Sequence, residues 1–201
     1  MEILEQITAI LIGALISATC ATSGNADELL TRFIEGDVSV LEENQKEEWF
    51  IPDFNDGSFE YEYTLLDLDG DGENEMIVQM KDEPQGFSAV FNAERDKVYC
   101  WGSDSVEMNC FEYPLDNGMM VSEYDYDGAV SYSIYAYDTT GEAKHISLLF
   151  IREVPASNNA AVKYPDYRID DKEVTKEEFG KELKAAIGDH RLDRTSWILV
   201  K

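Results

Sequence analysis

Residues Tyr61–Met80 read YEYTLLDLDGDGENEMIVQM. Asp67, Asp69 and Asp71 stand at alternate positions, Gly72 closes the run, and Glu75 follows three residues later. In a loop that wraps oxygen ligands around Ca²⁺, positions 1, 3 and 5 give side-chain oxygens. Position 6 is a glycine where the chain turns sharply, and position 7 gives a backbone carbonyl. Counted from Asp67, Gly72 is position 6, Glu73 offers the carbonyl and Glu75 falls at position 9. Position 12, the bidentate Glu of a helical EF-hand, is Val78.

The flanks decide the fold class. Before the loop, Phe59, Tyr61, Tyr63 and Leu65 alternate with Glu60, Glu62 and Thr64; after it, Met76–Met80 is a short apolar run. Period-two alternation and short apolar runs belong to strands. The stretch therefore predicts a β-hairpin with a calcium loop at its tip, closed by Glu75. A metal-free acidic turn is the alternative, because Asp-Gly is also a hairpin signal. Three strictly alternating aspartates and a fourth acid repel one another unless neutralised, which favours the ion.

Outward from this hairpin, Phe59 to Ile151 reads as successive strands separated by turn residues. The Asp127-Gly128 pair between Met119–Tyr126 and Val130–Tyr137 is a strong two-residue hairpin signal. Short links between consecutive strands predict antiparallel pairing rather than βαβ units. Asp27–Gly36 predicts a short helix with Asp27 as N-cap. Thr175 and Glu178 form a capping box ahead of Phe179, Leu183 and Ile187 at helical spacing. Ala156–Pro165 reads as loop, Tyr167–Val174 as a hairpin turning at Asp170-Asp171, and Trp197–Val200 as a returning strand. The predicted class is α+β: an antiparallel meander, with room to curl, and short helices near both termini.

The loop D-L-D-G-D-G-E-N-E between β-type flanks resembles the calcium loops of FG-GAP and related repeats. It is more similar still to those of a broad group of uncharacterised bacterial extracytoplasmic proteins, which carry a signal peptide, one such loop and a β-rich body. The resemblance covers about twenty residues. It implies calcium binding by Asp67, Asp69, Asp71 and Glu75 and a location outside the cytoplasm; it implies no reaction. No second copy of the loop occurs in the chain, as a multi-bladed propeller requires.

The 201 residues carry 42 acids against 16 Lys and Arg, a net charge of −26. Such a charge opposes nucleic acid, whose recognition rests on phosphate neutralisation, and anionic membrane surfaces. It favours divalent cations, basic partners or simple solubility. An aromatic content of 11% supplies the burial that disordered acidic chains lack.

Residues 1–26 read as a signal peptide, with Ile7–Ala21 apolar or small and Gly24 and Ala26 placed for a cut before Asp27. The n-region departs from the pattern in holding Glu2 and Glu5 and no Lys or Arg. A buried N-terminal helix is the alternative. Cys20 offers a lipidation site, so contact with a membrane is expected only through the signal or such an anchor. Residues 27–201 are then one calcium-loop domain, secreted or surface-anchored. Cys100 and Cys110, on strands expected to be neighbours, suit a disulfide as well as two packed thiols.

No nucleophile elbow, zinc helix or phosphate loop occurs, and His145 and His190 lack partners in sequence, so no catalytic residue is expected. Tyr124, Tyr126, Tyr132, Tyr135 and Tyr137 crowd one hairpin, as core or as a platform for a sugar or protein. The reading is a non-enzymatic exported binding or scaffold domain stabilised by one Ca²⁺. The alternative is an acidic, immunity-like inhibitor of a basic protein.

Overall fold

The computed structural model describes residues 23–104, 110–156 and 159–201. The architecture is α+β, with two antiparallel sheets and a few short helices. Strands β1 (Tyr61–Leu66), β2 (Glu75–Met80), β3 (Ser88–Glu94) and β4 (Lys97–Asp104) form the first sheet, joined at its edge by β11 (Ile198–Leu199) in the order β11-β1-β2-β3-β4. The second sheet runs β10-β9-β8-β7-β6-β5. Its strands are β5 (Cys110–Pro114), β6 (Met120–Tyr126), β7 (Ala129–Tyr137), β8 (Ala143–Ala156), β9 (Asn159–Ile169) and β10 (Lys172–Val174). Apart from β11, every strand pairs with its sequence neighbour, and the meander divides between β4 and β5.

Helix α1 (Ser23–Ile34) forms because Ala26, Leu29, Leu30, Phe33 and Ile34 fall at i, i+3, i+4, i+7 and i+8. All five are buried against one face of the first sheet, with Tyr61, Met76, Val78 and Phe91. The helix ends at Gly36, whose φ of 106° only glycine adopts freely. There the Asp37 and Gly36 amides donate back to the Arg32 and Phe33 carbonyls, a Schellman closure. Asp27, expected as the N-cap, lies inside this helix, because the apolar stripe already includes Ala26. The helix also runs through the expected cleavage point. Cys20 and residues 1–22 lie outside the described residues.

A second apolar layer covers one face of the second sheet. Val121, Ile134 and Leu149 pack under Phe179 of α2 (Lys176–Leu183) and Ile187 of the turn that follows. The capping box is formed: the Glu178 amide donates to the Thr175 hydroxyl, and the Glu178 carboxylate accepts from the Thr175 amide. The third cluster joins the sheets. Leu68, Ile77 and Val90 from the first meet Met120 and Tyr137 from the second, with Trp197. A buried polar strap crosses the same seam: Gln79 donates to the Glu112 carbonyl at 2.5 Å and accepts from Arg194, which pairs with Glu62.

Two expectations are corrected here. Ala156 and residues 159–165, expected as loop, are strand in the long β8–β9 hairpin, where even Pro165 pairs with Glu153; residues 157 and 158 lie outside the described residues. Cys100 and Cys110 are free thiols, because β4 and β5 belong to different sheets. Cys100 Sγ donates to the Gly102 carbonyl, and Cys110 Sγ contacts the Ser122 hydroxyl.

Candidate metal centre

The β1–β2 register pairs Leu66 with Glu75, so residues 67–74 form the hairpin loop. Each aspartate organises the backbone ahead of it. Asp67 accepts from the Gly70 amide at 2.7 Å through one oxygen and from the Gly72 amide at 3.1 Å through the other. Asp69 accepts from Asp71 at 3.0 Å, and Asp71 from Glu73 at 2.7 Å. These turns need left-handed backbone, supplied by Gly70 (φ 79°) and Gly72 (φ 93°). Between the first two aspartates, Leu68 points the other way and is buried at the seam between the sheets.

The result is convergence. One oxygen from each of Asp67, Asp69 and Asp71 lies within 4.8 Å of the others. That is about the diameter of a Ca²⁺ coordination shell, whose oxygens lie roughly 2.4 Å from the ion. All-oxygen, all-carboxylate donors suit a hard divalent cation.

Glu75 stands outside that trio but under it. Its side chain is 1% exposed, and Oε2 accepts from the Leu68 amide at 2.8 Å. Burial, together with the charges of Asp69, Asp71 and Asp67, pushes its carboxyl from 4.5 up to about 8. The Leu68 hydrogen bond opposes the rise and does not cancel it. Asp69 is raised as well, by burial and by Asp71 and Asp67. A carboxyl that would rather hold a proton than a charge, beneath three more carboxylates, is a site short of positive charge. The Glu73 carboxylate is not among the converging groups.

Parts of the scaffold around the loop have no signature in the sequence. Asn74 donates to the Asp27 carboxylate at 3.1 and 3.4 Å, tying the loop to α1. The turn at Gly118 packs onto the loop backbone so closely that a Cβ there would sit 2.8 Å from the Asp67 carbonyl oxygen. The loop is thus held by the helix, by the core through Leu68, and by the β5–β6 turn of the other sheet.

The remaining candidates lie elsewhere. His190 contacts Asp116 at 2.6 Å, while His145 is exposed at the start of β8. The tyrosines of β7 divide by strand parity: Tyr132 packs toward α2, whereas Tyr135 and Tyr137 face the seam. No family model matches this chain, and no curated protein or solved structure matches it significantly.

Proposed function

We propose that this chain is a non-enzymatic exported binding or scaffold module in which one Ca²⁺ organises the β1–β2 loop. The observation that carries the reading is the convergence of Asp67, Asp69 and Asp71 above the buried Glu75. Asp67, Asp69 and Asp71 would ligate through side chains and Glu73 through its carbonyl. Glu75 would close the shell directly or through water. The ion supplies charge neutralisation and a fixed turn; the protein's own residues shape the loop and set the register of β1 against β2. The loop's resemblance to those of extracytoplasmic bacterial proteins supports an exported location, as does the signal-like character of residues 1–26.

Affinity is expected in the range of extracellular modules, with Kd of about 10⁻⁴–10⁻³ M. Titration calorimetry of residues 23–201 with CaCl₂, beside Asp69→Asn, tests it. One-site binding that the variant loses is the expected result. Absence of heat at several times the upper Kd would reduce the loop to an acidic turn and move the acidic-inhibitor reading ahead.

A further inference from the structure

Where the second sheet runs out from under the first, the structure opens a cleft of about 500 Å³. It is lined by the aromatic side chains of Trp49, Tyr135 and Tyr137, the carboxyl groups of Asp104 and Glu112, His145 and three serines. The cleft is built from both sheets. Asp104 ends β4, Glu112 lies in β5, Tyr135 and Tyr137 lie in β7, and His145 begins the far strand. Trp49 follows a short helical turn whose Gln45 caps the Cys100 amide of β4, and Ser103 ties the neighbouring Phe50 carbonyl to the same strand. Gln79 holds the Glu112 backbone from the other side. Tyr137 lies over Gly102, where a Cβ would meet its hydroxyl at 3.2 Å, so the glycine leaves the ring its place.

We propose that this cleft binds a small organic cation, an amine or quaternary ammonium group held over the Tyr135, Tyr137 and Trp49 rings against Glu112 and Asp104. The chemistry of the lining decides the class. Aromatic faces attract cations through their quadrupole. Among the described lining residues there is no Lys or Arg, so an anion finds two carboxylates and nothing to pair with. An inorganic divalent ion wants six or more oxygens. Among the described residues the converging metal-type cluster is Asp67, Asp69 and Asp71, and neither Asp104 nor Glu112 joins such a group. Burial and the charge of Asp104 disfavour the ionised Glu112 carboxylate, a cost that a bound cation offsets. The volume lies in the range of small-molecule sites. The net charge of −26 raises the local concentration of any cation. The inference is independent of the calcium reading and shares no residue with it.

The test uses choline and cadaverine as probes, followed by calorimetry on the full chain at one fixed calcium concentration. 3,3-Dimethylbutan-1-ol is the uncharged isostere of choline, and glucose is the neutral sugar control. Binding of either cation is expected, weakened about tenfold or more in Glu112→Gln and for the isostere. Tyr135→Phe keeps the ring but removes the hydroxyl that supports the ionised Glu112, so it should weaken binding less than Glu112→Gln does. A melting temperature no lower than the parent's and an unchanged calcium response in Glu112→Gln establish that the variant is folded. No binding of either cation at concentrations up to ~10 mM overturns the proposal, that range reaching well past millimolar Kd. So does equal binding of the isostere, or glucose binding that choline fails to displace.

Discussion

Glu75→Gln is the substitution whose outcome follows most directly from the structure. In metal-free protein the folded state holds this carboxyl at about 8, against 4.5 in its ordinary setting. The folded state therefore binds a proton more tightly than the unfolded one. Below pH 4.5 both states are protonated and Glu75 costs nothing. As pH rises the unfolded chain ionises first, and stability falls until about pH 8, where the folded state ionises too. At pH 7 the accumulated penalty is roughly 3 kcal/mol, taking 1.36 kcal/mol per tenfold difference in proton affinity. Glutamine has no charge to lose, and its carbonyl can still accept from the Leu68 amide. Urea unfolding of residues 23–201 in EDTA, at pH 5 and pH 8, measures the effect. The variant should be more stable than the parent by a few kcal/mol at pH 8 and by under ~1 kcal/mol at pH 5. For a chain of this length that corresponds to a melting temperature higher by about 6–12 °C at pH 7. In saturating calcium the order should narrow or reverse, because the ion offsets the charge that glutamine lacks. Parallel pH profiles for parent and variant in EDTA would refute the reasoning, since Glu75 would then ionise as freely folded as unfolded.

Other substitutions separate the loop from its supports. Gly118→Ala forces a side chain into left-handed backbone and against the Asp67 carbonyl; it should cost roughly 1–2 kcal/mol in denaturant melts and weaken calcium binding by calorimetry, and unchanged affinity would show that the turn does not brace the loop. Thr175→Ala removes the hydroxyl that caps the Glu178 amide, leaving the backbone half of the capping box in place, and should lower stability by about 1 kcal/mol, leaving calcium affinity as it was. The thiols should differ under alkylation of residues 23–201: burial pushes Cys100 up to about 12, so it should react only on unfolding, whereas half-buried Cys110 reacts in the native protein. A chain with no titratable thiol after denaturation would contradict the separation of β4 from β5.

What the sequence makes legible is local. The Asp127-Gly128 turn occurs where its pattern points, with Asp127 at φ 50° and Gly128 at 76°, because a two-residue turn is decided by its own backbone. The same holds for Asp170-Asp171 and for Thr175 with Glu178. The aspartates of the loop are equally readable, since their spacing is the geometry. Long-range placement is not. Nothing between Asp104 and Cys110 announces that the meander leaves one sheet for another, and of the two readings offered for Cys100 and Cys110 the bridge gives way to the packed thiols for that reason. Pro155 and Pro165 argue against strand, yet both sit near the end of a long hairpin, where a missing amide costs little. Helix α1 begins earlier than its polar residues suggest because Ala26 is covered by the sheet, a tertiary fact. The Asn74–Asp27 contact and the approach of Gly118 likewise join residues more than forty positions apart.

The weakness expected of the calcium site has a consequence for where it can matter. A ligand that binds only the folded state adds RT ln(1 + [L]/Kd) to stability. With Kd of about 10⁻⁴–10⁻³ M, millimolar free calcium contributes roughly 0.4–1.4 kcal/mol, while micromolar calcium contributes next to nothing. The Glu75 penalty is already inside that Kd: part of the ion's intrinsic affinity goes to displacing a proton from a carboxyl that prefers to keep it. If the loop holds calcium as proposed, a buried fourth acid would make it responsive to pH as well, tightening its hold as the medium turns alkaline and releasing the ion as it turns acid. Because Leu68, Asn74 and Asp67 reach the core seam, α1 and the β5–β6 turn respectively, the loss would not stay in the loop. It would loosen a place where both sheets and the first helix meet.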